Sequence, residues 1–229
     1  KDYLYNLPAM AESISEYTKI IYLANPDNPT GSYFSVKEFD TFMEKVPDRV
    51  LVILDEAYFE YAMYTDDYPD SMHYRYDNVI TLRTFSKIYG LAGFRVGYGF
   101  AHKTLISNLL KVKLPFEPSV PAQAAAIASL EDSEYLEKSL AVNIEGMELL
   151  SNTFISHQLR FTPSVTNFLT LVFEDVKLSN HISMELLKRG VIVRNLISFG
   201  LPECIRVTIG TQDENLFFIQ QLEEIVKLI

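Results

Sequence analysis

A lysine stands in the run Thr84-Phe85-Ser86-Lys87, and groups able to work with it are spread on either side. Asn25-Pro26-Asp27-Asn28-Pro29-Thr30-Gly31 and Asp55-Glu56-Ala57-Tyr58 precede it, and Arg95 follows. Together they offer an amine nucleophile, a carboxylate, a phenol, an amide, two hydroxyls and a guanidinium. A lysine amine can add to a carbonyl and then serve as acid and base in turn. A guanidinium beside hydroxyls suits a phosphate. The inventory as a whole fits the holding of an aromatic group that bears both an aldehyde and a phosphate.

Strands must position these groups, and the pattern supplies them. Residues 19–24 (KIIYLA), 49–54 (RVLVIL), 78–82 (NVITL) and 94–100 (FRVGYGF) are apolar runs rich in β-branched residues, the last broken by glycine. Near-continuous apolar runs suit parallel strands covered on both faces. Residues 36–45 read as a helix, with Ser35 as N-cap and Glu38 completing a capping box. Strand, helix and strand in this order imply a right-handed βαβ unit. Asn28 then follows the first strand, Asp55 the second and Lys87 the third. Ligands of open α/β sheets bind beyond the carboxyl ends of the strands, so the three are expected to converge there.

From Pro121 the character changes. Residues 123–130 are alanine-rich and helical, and residues 133 to about 157 read as a long amphipathic helix. A strand over 168–173, a helix over 179–189 ending at Gly190, a short strand over 191–194, a strand over 204–209 and a closing helix over 214–228 follow. The expected organisation is residues 1–138 as a larger α/β domain and 139–229 as a smaller α+β domain.

Composition narrows the class. A net charge of −10 argues against nucleic acid or an anionic membrane as partner. No apolar run is long enough to span a bilayer. The single Cys204 has no partner within the chain for a disulfide, which favours a reducing compartment such as the cytoplasm. The four histidines lack metal-ligand spacing, and no metal is expected.

Each motif has an ordinary reading. Residues 25–31 could be a tight loop, Asp55 a helix cap, Tyr58 core, and Lys87 solvated. All of these holding together, in this order and spacing, is improbable. The segments NPDNPTG, LDEAYFEY, TFSKIYGLAGFRVGY, VIVRN and CIRVTIGT resemble, in order, the motifs of the fold-type I pyridoxal-phosphate-dependent aminotransferases. The likeness is greatest to their histidinol-phosphate aminotransferase branch, and it runs over nearly the whole chain.

The resemblance implies a three-layer α/β sandwich with a mostly parallel sheet, a smaller C-terminal domain and pyridoxal 5'-phosphate as cofactor. It makes Lys87 the amine that joins the cofactor aldehyde and then moves the proton. Asp55 faces the pyridine nitrogen, and Tyr58 and Asn28 hydrogen-bond the ring hydroxyl. Thr84, Ser86 and Arg95 bind the phosphate. Arg206 grips a substrate α-carboxylate, and Arg194 contacts the distal phosphate of the substrate. Tyr22, Tyr89 and Phe116 could line the pocket, although packing suits each better. The implied substrates are histidinol phosphate and glutamate or 2-oxoglutarate, and the implied assembly is a homodimer. Alternatives on the same scaffold are an aromatic or broad-specificity aminotransferase and threonine-phosphate decarboxylase. An inactive scaffold fragment is the alternative of a different class. The chain opens Lys-Asp-Tyr, and the family's N-terminal arm, its phosphate-binding turn and its ring-stacking aromatic are not located, so the N-terminal part of the fold is expected to be missing from these residues.

Overall fold

The computed structural model describes residues 3–74 and 76–227. Contacts gather the chain into two units. Residues up to Asp27 join Tyr33–Leu136, whereas Asn28–Ser32 join the residues from Glu137 onward.

The first unit runs α1 (Leu7–Glu12), β1 (Ile20–Ala24), α2 (Val36–Met43), β2 (Leu51–Asp55), α3 (Phe59–Ala62), β3 (Val79–Thr84), β4 (Gly97–Ala101), α4 (Lys103–Leu110) and α5 (Val120–Glu131). Among the described residues its sheet is four-stranded, in the order β1-β2-β3-β4, with the first three strands parallel. The register sets Ala24 beside Asp55 and Asp55 beside Leu82, so the carboxyl ends of the parallel strands are level. The capping box of α2 is formed: Glu38 accepts from the Ser35 N–H at 2.8 Å while the Ser35 hydroxyl accepts from the Glu38 N–H at 3.4 Å. Phe39, Phe42 and Met43 of α2 and Leu7 and Ala11 of α1 pack on Ile21, Leu23, Val52 and Leu54, the inward pleat of the sheet. Ile20 and Tyr22, on the opposite pleat, are more than half exposed.

The fourth strand corrects an expectation. Residues 94–100 do not form a parallel strand; β4 pairs antiparallel with β3. A 3₁₀ turn over Ala92–Phe94 and a left-handed Arg95 (φ 53°) reverse the chain, and an antiparallel return needs no crossover helix. Gly97 permits the close pairing, since a Cβ there would stand 2.7 Å from the Arg83 carbonyl oxygen.

Most of α6 (Ser133–Ser156) belongs to the second unit, followed by β5 (Arg160–Thr162), β6 (Phe168–Val172), α7 (Val176–Lys188), β7 (Arg194–Asn195), β8 (Cys204–Thr208) and α8 (Gln212–Val226). Among the described residues its sheet is antiparallel in the order β5-β6-β8-β7. Leu150 and Phe154 of α6, Ile182 and Leu186 of α7 and Phe218 and Leu222 of α8 close over Leu169, Leu171 and Ile205. Helix α7 starts at Val176 rather than 179, because Asp175 accepts from the Lys177 and Leu178 N–H groups, both at 2.8 Å. Helix α8 starts at Gln212 on a Thr211/Glu214 capping box. The strand expected over 191–194 contracts to Arg194–Asn195, with Ile192 left 85% exposed at the sheet edge. No helix among the described residues is long and apolar enough to cross a membrane.

Candidate active site

Asp55 is the last residue of β2. Its Oδ1 accepts from the Ala57 N–H at 3.1 Å, and its Oδ2 accepts from the Tyr22 hydroxyl. Tyr22 lies on the pleat of β1 that leads to Ala24, the register partner of Asp55. Partial desolvation of the phenol and the bond to Asp55 push Tyr22 up, although more than half of the residue is exposed, so it remains a donor. Packing was the favoured reading of Tyr22 from the sequence; the period-two alternation with Ala24 and Asp55 is the signal for this contact. An ionised carboxylate offers about four lone-pair sites. With two used, Asp55 still has room for a protonated nitrogen.

Tyr58 stands one turn beyond Asp55, at the N-cap position of α3, and is buried. The Lys87 Nζ lies 5.1 Å from the centre of its ring. Lys87 is half-buried, not the solvated lysine of the ordinary reading. Thr84 ends β3, and its Oγ1 accepts from the Ser86 N–H at 3.1 Å. Arg95 closes the same loop, with its Nη1 donating to the Ala92 carbonyl at 2.9 Å. A non-glycine residue held in the left-handed region costs about 1–3 kcal/mol, and such strain concentrates at functional sites. Buried Phe85 and Val96 anchor the two ends of this loop, with Ala122 and Ala126 of α5 against them.

Behind the loop lies a charged cluster that the motifs did not reveal. Arg83 of β3, 8% exposed, donates through Nε to Glu56 Oε2 at 2.9 Å, and its Nη2 reaches Asp70 Oδ1 at 2.9 Å. Burial pushes the Glu56 carboxyl up, and the facing Arg83 pulls it back. Nearby Glu60, buried in α3, has its carboxyl pushed up to about 7, chiefly by burial. An arginine interrupting the apolar run NVITLRTF was the available signal, since a charge in a buried strand requires a partner.

In the second unit the Asn28 side-chain oxygen accepts from Arg206 Nη1. The turn that carries Asn28 is seated by two threonines: Thr170 donates to the Pro29 carbonyl and Thr162 to the Thr30 carbonyl, both at 2.6 Å. Gly31 is required there, with φ 78° and a position where a Cβ would overlap Ser164. The Arg206 guanidinium lies 4.7 Å over the Phe168 ring. Arg194 is its register partner across β7 and β8. Like charges set opposite on adjacent strands are unfavourable by themselves, so the pair is suited to an anion. Arg194 is exposed and meets Ser198 Oγ only at 3.5 Å.

The aminotransferase class I and II family matches residues 1–222, and the chain belongs to that family. It is 44% identical over 231 residues to histidinol-phosphate aminotransferase 2 of Carboxydothermus hydrogenoformans, covering 100% of this chain and 63% of that protein. It is 43% identical to histidinol-phosphate aminotransferase 1 of Nitrosococcus oceani, covering 99% of this chain and 61% of that protein. The chain thus spans about six-tenths of the length of these curated relatives. Among solved structures, the histidinol-phosphate aminotransferase of Sinorhizobium meliloti in complex with pyridoxal-5'-phosphate superposes with a TM-score of 0.87. It is 31% identical, and the match covers 97% of this chain and 60% of that one.

Proposed function

We propose that the protein is a pyridoxal-phosphate-dependent aminotransferase that moves an amino group between histidinol phosphate and 2-oxoglutarate, a step of histidine biosynthesis. The observation that carries the reading is the Lys87 amine set over the Tyr58 ring, in one unit with Asp55 at the end of the neighbouring strand. The donors present fit the cofactor: a carboxylate with lone pairs to spare, a buried phenol, an amine, and one loop holding two hydroxyls and a guanidinium. Relatives with the histidinol-phosphate aminotransferase name, alike over the whole chain, support the choice of substrate.

Pyridoxal phosphate, when bound, supplies an aldehyde for the amine and a ring that draws electrons from the reacting carbon. Asp55 holds the proton on the ring nitrogen, and Tyr22 and the Ala57 N–H orient its carboxylate. Tyr58 would hydrogen-bond the ring hydroxyl, the role that the motif resemblance also gives Asn28. Thr84, Ser86 and Arg95 bind the phosphate, Arg95 through a charge-assisted contact. Lys87 would take and return the proton at the substrate Cα as general base and acid. Arg206 binds the α-carboxylate of glutamate, and Arg194 binds the phosphate of histidinol phosphate.

We also propose a cytoplasmic homodimer. Val112, Leu114, Phe116 and Val120 are each at least 65% exposed, an apolar stretch that calls for cover. The test of substrate is transamination by the full-length protein with histidinol phosphate, phenylalanine and tyrosine as donors. Preference for the phosphorylated donor is expected; equal or better use of the aromatic amino acids would replace this reading with an aromatic aminotransferase.

A further inference from the structure

The buried cluster around Arg83 is built from the immediate neighbours of the site. Glu56 lies between Asp55 and Tyr58, and Arg83 directly precedes Thr84. Successive side chains of a strand point to opposite faces. Leu82 pairs with Asp55, so Arg83 lies on the reverse of the face that carries Asp55 and Thr84. The Glu56 N–H donates to the Leu82 carbonyl at 2.9 Å, which extends the β2–β3 ladder one step past Asp55. At the next step the Arg83 and Glu56 side chains meet at 2.8 Å.

The guanidinium is held through two of its nitrogens and against a ring. Its Nε and Nη2 both reach Glu56, and Nη2 also reaches Asp70. One face lies 3.3 Å from the Phe59 ring centre, and Phe100 lies 5.3 Å away. A buried ion pair is a poor source of net stability, because desolvation offsets its attraction; apolar replacements are often as stable. What this cluster does supply is a single geometry.

We propose that the Glu56–Arg83–Asp70 cluster is a positioning device, which locks the end of β2 to the end of β3 so that Asp55 and Tyr58 keep their placement relative to Lys87. The proposal rests on the cofactor reading given above. Catalytic groups tolerate little displacement, and an error of 1 Å costs on the order of 100-fold in rate. Loosening the lock misaligns Asp55 from the ring nitrogen. Asp55 would then hold the ring-nitrogen proton less firmly, which would move the pH midpoint of the bound cofactor's absorbance upward.

The test uses the full-length holoenzyme with Arg83→Lys and Glu56→Gln. Lysine keeps the charge but lacks the planar fork. Three readouts are taken: the pH midpoint of the bound cofactor's absorbance, kcat against KM, and Tm. The expected result for both variants is a midpoint moved upward, kcat reduced at least tenfold and KM changed less than threefold. If Arg83→Lys does not fold, Glu56→Gln decides. A lowered Tm with midpoint and kcat unchanged in the folded variants would make the cluster a purely structural brace and overturn the proposal. A wild-type protein with no absorbance band dependent on Lys87 would overturn the cofactor reading itself, and the positioning role with it.

Discussion

At the scale of single residues, the proposed site would hold one proton in place and recognise two anions. Asp55→Asn replaces a carboxylate with a neutral amide that does not keep a pyridine nitrogen protonated. It is expected to lower kcat by several orders of magnitude while pyridoxal phosphate still binds, as measured by single-turnover kinetics and cofactor titration. The two arginines should separate. Arg206→Ala is expected to weaken both glutamate and histidinol phosphate, because the latter carries its phosphate ester, one carbon from Cα, where glutamate has its α-carboxylate. Arg194→Ala should instead weaken histidinol phosphate more than glutamate, with a loss of about 1.5–3 kcal/mol for the phosphorylated substrate, the value of a hydrogen bond to a charged group. Ratios of kcat/KM across both substrates check the pair, and equal losses for phosphorylated and unphosphorylated donors would remove Arg194 from the phosphate. Lys87, Asp55 and Asn28 stand out as candidates in the sequence because short motifs carry them. Tyr22 and Arg83 were not, because their partners lie across a sheet, 33 and 27 residues away in the chain.

At the scale of elements, α3 and α6 carry constraints that can be measured. Glu60 of α3 has its carboxyl pushed up to about 7 by burial, from an ordinary value of 4.5. Between those two values the folded protein holds a proton that the unfolded chain has released. Stability therefore falls as pH rises from about 4.5 towards 7. Glu60→Gln is expected to be more stable than wild type at pH 8, by up to about 3 kcal/mol, with the difference closing by pH 5. Urea denaturation at the two pH values checks this, and a gain that does not vary with pH would contradict it. In α6, a Cβ on Gly146 would overlap Ile209 and stand 2.7 Å from Asn215 Nδ2. Gly146→Ala should thus cost about 1–3 kcal/mol by overpacking, despite the higher helix propensity of alanine. Long helices and buried strands were readable from periodicity and caps. Helices α1 and α4 and strand β5 were not, since each is short; α4 has no buried residue to set a pattern. The direction of β4 also escaped, because an apolar run specifies burial and not the sense of pairing.

At the scale of the whole molecule, one unit is mixed α/β and carries an amine, a carboxylate, two hydroxyls and a guanidinium, and the other is antiparallel and carries two facing arginines. The exposed apolar stretch from Val112 to Val120 predicts that the full-length protein is a dimer at micromolar concentration. Sizing by light scattering tests this, with Phe116→Asp expected to shift the mass towards the monomer. The central claim is that Lys87 is the amine that joins the cofactor. Its most direct test is borohydride reduction of the full-length protein loaded with pyridoxal phosphate, followed by peptide mapping. The expected result is a yellow protein with one pyridoxyl adduct on Lys87, and neither colour nor transamination in Lys87→Ala. An adduct on a different lysine, or a Lys87→Ala variant that transaminates at the wild-type rate, would contradict it.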